Sequence, residues 1–229
     1  NQSWHSIPGG IETGNFIHTL LEWHARSETP NEDLVQAVKR FWPNFLNPEL
    51  RAFIHEWITA IVHINLGDDL TLESLPRSMK RPEPQFELPL KNGIYCEDLF
   101  KGCEQFSWWN SLIPPIGQAL SGHLIGFIDL VFESNGRYSI IDYKTNYLGP
   151  TNQAYSADGI NAAMDKSFYT VQAAIYGLAL HRWLQSRMPN YDPETHLGDV
   201  IYLFCRGIDA PSQGIWRGKL ETTGILALE

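Results

Sequence analysis

No two cysteines in this chain are spaced as CxxC. Its three, Cys96, Cys103 and Cys205, form an odd and scattered set. That excludes a disulfide framework and the usual zinc and iron–sulfur cradles, and it fits a reducing, cytoplasmic setting. No apolar run approaches the ~20 residues needed to cross a bilayer, and the first residues carry no secretory leader, so no membrane partner is expected. Positive charge is short as well. Seventeen Lys and Arg stand against 26 Asp and Glu, for a net charge of −9, the wrong sign for a protein that finds nucleic acid through its own long-range field. If DNA is the substrate, something else must deliver it. There is no GxxxxGK[ST] phosphate loop, no internal repeat and no low-complexity tract. The first residue is Asn1 rather than Met, as expected of a piece of a longer protein.

What is present is a globular composition, 43% hydrophobic and 19% charged over 229 residues, enough for one substantial core or for one core with a helical appendage. The most informative stretch is LIGFIDLVFESNGRYSIIDYKTNY, residues 124–147. Asn135-Gly136 between alternating apolar residues signals a hairpin, because both central residues of a type I′ turn need positive φ. With Ser134 and Arg137 closing the turn, the numbers of opposed residues sum to 271, as do those of Asp129 and Asp142. A four-residue loop closed by Glu133 and Tyr138 keeps that register, whereas a three- or five-residue loop breaks it. Tyr138, Ile140, Asp142 and Lys144 point the same way because strand side chains alternate, so Lys144 is expected on a face with both aspartates. Opposed Cβ atoms lie roughly 4.5–5.5 Å apart, and facing like charges destabilise a sheet. A lysine offsets part of that repulsion. Two convergent carboxylates on a rigid strand pair are also what a hard divalent cation such as Mg²⁺ needs. The plainer alternative is a buried Asp–Lys ion pair that merely holds the hairpin, which is a costly way to staple a sheet.

Along the rest of the chain, a polar, Gly-rich start leads into a helix from about Asn15, with Phe16, Ile17, Leu20, Leu21 and His24 on its apolar side. His18 and Glu22 are four apart and share a neighbouring face; on spacing alone His18 is a ligand or an ordinary surface or core histidine. Thr29-Pro30-Asn31-Glu32 carries an N-cap, Pro at N1 and Glu at N3, opening a second helix that ends before Pro43. Asn47-Pro48 opens a third, whose stripe runs from Leu50 to Ile61. Residues 68–85 read as a Pro-rich connector in which Arg77, Lys80 and Arg81 either touch phosphates or are simply solvated. Residues 86–90 are a candidate edge strand because of Pro89. The stretch 91–116 lacks periodicity, and its Trp108 and Trp109 stack on bases, meet a partner or fill core. One long helix is expected from about Ile160 to Arg187, with Phe168, Val171, Ile175, Leu178, Ala179 and Leu184 as its stripe and with Gln172 and Tyr176 on one side. Asp199–Arg206 has the composition of a central strand buried on both faces. The order implies an α/β core with a mixed sheet, in which the last strand, reached by a helical crossover, runs parallel to a hairpin strand. Residues 1–85 form an N-terminal helical part and residues 86–229 the core.

Asp129 followed after twelve residues by Asp142-Tyr143-Lys144 resembles the signature of the PD-(D/E)xK nucleases. The surrounding words GNFIHTLLE, GFIDLVFESNGRYSIIDYKTNYLG, QAAIYGLALHRWL and GDVIYLFCRG resemble, in order and spacing, the C-terminal nuclease domain of the RecB-type subunit of exonuclease V. The resemblance runs from about Gly14 to Gly207 and is less distinct over 25–115. It implies a restriction-endonuclease-like α/β core with a mixed central sheet flanked by helices. It further implies that Asp129 and Asp142 bind the catalytic metal, that Lys144 is the catalytic lysine, and that His18, from a Gly-x-x-x-His motif starting at Gly14, completes the metal shell. The Tyr143 carbonyl reaches the same metal, and Gln172 and Tyr176, from a Gln-x-x-x-Tyr motif, lie beside the site. The proline of the signature is replaced by Ile128. Mg²⁺ is the implied cofactor and Mn²⁺ a substitute, while Ca²⁺, larger and more loosely coordinating, is expected to bind without supporting efficient cleavage.

The same resemblance implies a place at the end of a helicase chain, assembled with two other exonuclease V subunits into a machine that processes double-strand breaks. The motor would feed single strands of DNA to a site needing little affinity of its own. Two rivals stand beside this reading. One is an inert nuclease-fold module for docking subunits or holding DNA, which would have lost Asp129, Asp142 or Lys144. The other is a metal phosphoesterase for small substrates.

Overall fold

Strands such as SIIDY and VIYLF carry large side chains on both faces, so a sheet built from them needs a cover on each side. The computed structural model of the chain, which describes residues 3–90, 94–110 and 112–229, supplies two different covers. In chain order the elements are α1 (Ile11–Arg26), α2 (Pro30–Arg40), α3 (Arg51–Val62), β1 (Lys80–Pro82), β2 (Gln85–Pro89), β3 (Ile94–Tyr95), α4 (Cys96–Cys103), β4 (Ala119–Leu120), β5 (His123–Phe127), β6 (Leu130–Ser134), β7 (Arg137–Lys144), α5 (Ala157–Lys166), α6 (Tyr169–Arg187), α7 (Pro193–His196), β8 (Leu197–Phe204), β9 (Ile215–Lys219) and α8 (Thr222–Ala227). The main sheet has the order β1-β6-β7-β8-β9. Among the described residues only β7 and β8 are parallel within it, joined by the α5–α6 crossover, so the sheet is mixed as expected.

Odd residues of β7 and β8 (Ile141, Tyr143, Ile201, Leu203) join Leu130 and Phe132 of β6 against the buried stripes of α1, α2 and α3. Ile140, Val200 and Tyr202 face the other way, into a core shared with α5, α6 and α8. The N-terminal helices are thus one wall of the sheet. β1 also belongs to the stretch before residue 86 and forms the sheet edge against β6.

The hairpin has the expected register. Every pair from Ser134↔Arg137 to Leu130↔Ile141 sums to 271, and Asn135 and Gly136 have φ of 52° and 77°, as the primed turn requires. Two expectations are corrected. The first hairpin strand is not continuous from 124 to 134: it bends at Ile128-Asp129, where Ile128 N donates to Pro84 O (3.2 Å) and Glu83 N donates to Asp129 O (3.0 Å). Beyond the bend, β5 leaves the main sheet to pair with β2. The long helix is broken between Lys166 and Tyr169, with Phe168 in the left-handed region at φ 54° and half exposed rather than in the stripe. Both helices pack into the same core but on different neighbours, α5 toward β9 and α6 along β8 and α4.

Other assignments shift less. The connector contains β1, and its basic residues are engaged: Arg77 pairs with Glu28 at 2.6 Å, Lys80 Nζ donates to Leu72 O, and Arg81 lies over the Trp183 ring. Trp108 stacks on Phe106 at 4.5 Å and donates to Lys219 O, so it fills core. Trp109 meets Phe100 edge-on. The region also holds a helix, α4, which had no periodic signature. The side chain of Glu32, the anticipated N3 residue, lies outside the described residues, and Thr29 makes no side-chain cap.

Arg206 is fully buried. It donates to the carbonyls of Thr145 (2.8 Å), Trp4 (2.8 Å), Ile7 (2.8 Å) and Pro8 (3.1 Å), and among the described residues no carboxylate pairs with it. Beside it, Trp57 has no exposure and donates Nε1–H to Cys205 O at 2.8 Å, tying α3 to the end of β8. Trp57→Ala is expected to lower the unfolding free energy by about 3–5 kcal/mol, read as a drop in the urea midpoint.

Candidate active site

The four charged or titratable side chains singled out in the sequence meet at one end of β7. Asp142 and Lys144 extend from the strand itself. Asp129 arrives at the bend one step beyond the last ladder pair, and His18 arrives from α1 in the opposite wall. Gly14 permits that approach: a Cβ there would stand only 3.1 Å from Thr145 Oγ1, so the glycine of Gly-x-x-x-His lets α1 close on the strand end. His18 Nδ1 is 3.2 Å from Asp129 Oδ1. Asp129 Oδ2 accepts from Tyr143 N at 2.7 Å. Lys144 Nζ is 2.8 Å from Asp142 Oδ2. The bend therefore modifies the expected confrontation. Asp129 follows the register of the hairpin but is anchored to the β7 backbone and to the imidazole, rather than being a ladder partner of Asp142.

Gln172 and Tyr176 are brought to the same point by α6, one helical turn apart. Gln172 Oε1 accepts from Lys144 Nζ (3.1 Å) and from Tyr202 OH (2.9 Å), and Gln172 Nε2 donates to Tyr176 OH (2.9 Å). Two residues that sequence reading passed over complete the surroundings: Lys144 Nζ lies 3.9 Å from the ring centroid of Tyr169 and 5.2 Å from that of Tyr202. Tyr169 stands three residues before Gln172, a helical spacing that signals a shared face. Tyr202 is the parallel-register neighbour of Asp142, and no local pattern gives a parallel register.

Electrostatics follow from burial. Asp142 is buried, and desolvation, helped by the Asp129 charge and opposed by Lys144, lifts its pKa from 3.8 to about 6. Desolvation pulls His18 down, but the hydrogen bond and charge of Asp129 outweigh it and the net shift is upward. Burial, and then the Asp142 charge, raises the phenols of Tyr176 and Tyr202, so both remain protonated donors. Beside His18 opens a cleft of about 710 Å³ bounded by Gly10, Gly14, Glu22, Glu83 and Asn146, with no Lys or Arg among its lining residues.

Among the described residues no three His, Cys, Asp or Glu side chains stand in a metal-ligating cluster, since imidazole, carboxylates and ammonium are turned on one another. The donor set nevertheless fits a hard divalent cation. It offers two carboxylates and an imidazole near one strand end, and Asp142 is a buried carboxylate whose one cationic partner is Lys144 among the described residues.

Residues 7–217 match the PD-(D/E)XK nuclease superfamily. The chain belongs to that superfamily. It is 36% identical over 98% of its length to the RecBCD enzyme subunit RecB of Escherichia coli K12. It is 35% identical over 90% to that of Buchnera aphidicola from Schizaphis graminum, and 44% identical over 88% to that of Mycolicibacterium smegmatis. The matches take in 19%, 17% and 21% of those proteins, so the chain spans about a fifth of the length of the relatives it matches. The superfamily's mixed sheet flanked by helices is the architecture described above.

The pH dependence of stability tests the burial of Asp142. A carboxyl whose folded pKa lies above its unfolded value favours folding fully below the unfolded pKa, and that contribution is lost as pH rises through the folded one, here between about 4 and about 6. In chelator-treated protein, Asp142→Asn is therefore expected to raise the melting temperature at pH 8 and to confer no such gain at pH 4. Equal gains at both pH values would contradict the assigned shift.

Proposed function

We propose that the chain is a Mg²⁺-dependent deoxyribonuclease, the nuclease part of a helicase–nuclease complex that processes double-strand breaks. The observation that carries this reading is the convergence of His18, Asp129, Asp142 and Lys144 on the end of β7 in a member of a nuclease superfamily. Asp129, Asp142, the His18 imidazole and the Tyr143 carbonyl would hold the cation. When bound, a divalent ion of this kind polarises a phosphoryl oxygen and acidifies a water.

The remaining roles fall to the chain's own groups. Lys144 places an ammonium, held by Gln172, where negative charge develops on the phosphate, a stabilisation strongest where water is excluded. Two carboxylates and one neutral imidazole leave a ligand charge of about −2, low enough for an anionic phosphate to approach a bound cation. The cleft beside His18 gives a strand room to enter. Its lack of cationic side chains, together with the overall charge of −9, supports delivery of DNA by another part of a larger assembly. The matched relatives are named as subunits of the RecBCD enzyme. On this reading the partners are the helicase part of the same protein, two further subunits, and single strands fed by the motor.

Asp142→Ala and Lys144→Ala are each expected to reduce Mg²⁺-dependent DNA degradation by on the order of a thousandfold with the circular dichroism spectrum unchanged. Undiminished cleavage by either variant would sink the assignment. Replacing Mg²⁺ with Ca²⁺ is expected to preserve cation binding, measured by calorimetry, while cleavage falls; Mn²⁺ is expected to sustain it. Equal turnover in Ca²⁺ and Mg²⁺ would count against a Mg²⁺-tuned site.

A further inference from the structure

We propose that Tyr169 and Tyr202 are positioning residues for Lys144, fixing its ammonium beside Asp142 through their ring faces and through Gln172. This rests on the reading of Lys144 as the residue that meets the phosphoryl group. A lysine is hard to hold in one place. Its four-carbon stem rotates freely, and an ion pair with a near-spherical ammonium sets a distance but little direction.

Here the direction is supplied from three sides. Asp142 lies 2.8 Å away, Gln172 Oε1 accepts at 3.1 Å, and the Tyr169 ring centroid is 3.9 Å from Nζ. The lysine side chain is only 13% exposed, so its charge is largely desolvated, the condition in which attraction to an aromatic face is greatest. Tyr169 and Tyr202 stack on each other, centroids 5.7 Å apart and planes 25° apart.

Each ring is itself held. Tyr169 OH exchanges hydrogen bonds with the Asn146 side chain at 3.2 and 3.4 Å. Tyr202 is fixed by its strand, in register with Asp142. The Tyr202 hydroxyl does a second job: it donates to the same Gln172 oxygen that receives Lys144. With Gln172 Nε2 engaged by Tyr176, the amide is locked with its oxygen toward the lysine. Neither tyrosine needs to touch substrate. If they only filled space, an apolar side chain of similar bulk would serve as well.

The test compares Tyr169→Phe, Tyr169→Leu and Tyr202→Phe in steady-state cleavage of DNA with Mg²⁺. Tyr169→Leu is expected to lower kcat on the order of tenfold with KM little changed, and Tyr169→Phe, which keeps the ring face, to recover most of that loss. Tyr202→Phe, which frees the Gln172 oxygen, is expected to lower kcat several-fold. Phe and Leu falling alike at position 169, or a rise in KM with kcat intact, would overturn the proposal.

A second measurement does not depend on cleavage. In protein labelled with ¹³C at the lysine ε position, the Lys144 signal, identified by its absence from Lys144→Ala, is expected upfield from the ring currents in the wild type and in Tyr169→Phe. In Tyr169→Leu it is expected near the ordinary lysine position. An unshifted wild-type signal would refute the aromatic seat even in an active nuclease. A shifted signal in a protein that fails to cut DNA would support the seat and count against the nuclease reading alone.

Discussion

Two carboxylates, one of them fully buried, share the end of a strand with a single ammonium. Burying charge is tolerated only when partners replace the lost water, and most of the architecture around β7 serves that replacement. The Tyr143 amide holds one oxygen of Asp129 and His18 faces the other. Lys144 faces Asp142, and Lys144 in turn has an amide oxygen and two aromatic faces. The elements that bring these groups in are far apart in sequence, α1 at one end of the chain and α6 and β8 toward the other. The compensation is incomplete at Asp142, where burial and the Asp129 charge outweigh Lys144 and leave the pKa raised, marking the point where more positive charge is welcome.

The same constraint explains why two walls are needed. Asp142 and Lys144 lie on the face of β7 that α6 covers, with Ile140 and Tyr202, and that cover excludes the water that would weaken every interaction among them. The α1–α3 wall contributes the imidazole and the α5–α6 wall the amide and phenols. The end of β7 that carries the candidate site is therefore a seam between two cores, and the bend at Ile128-Asp129 is where the chain passes from one neighbourhood to the other.

How much of this was legible in the sequence depended on the range of the interaction involved. The hairpin register was computable because Asn135-Gly136 fixes the turn and a two-residue side-chain period fixes everything after it. The helix of His18 and the strand 199–204 were likewise written in local patterns. The His18–Asp129 contact came from resemblance, since a helix–strand contact over more than a hundred residues has no local signature. Three features escaped for physical reasons. β1 is a short edge strand in a proline-rich stretch and owes its conformation to β6. The break at Phe168 separates two helices that pack on different neighbours, in a segment whose composition is helical throughout. The closeness of Tyr202 to Lys144 depends on a parallel register set by a long crossover. In each, tertiary contacts decide what local propensity leaves open.

The buried arginine gives the stretch before α1, a single 3-10 turn at Trp4–Ser6, a standing that its shortness conceals. A guanidinium keeps its charge at any ordinary pH and offers five donors in a fixed plane, and Arg206 finds its acceptors in the carbonyls of Trp4, Ile7, Pro8 and Thr145. Three of those four belong to the strap that leads into α1, and the fourth directly follows Lys144. Peeling the strap away would not merely fray an end; it would maroon a cation inside the protein, a state far costlier than the loss of a few surface contacts. Residues 4–8 thus act as a stopper seated by electrostatics, and the helix carrying His18 inherits its position from that seal.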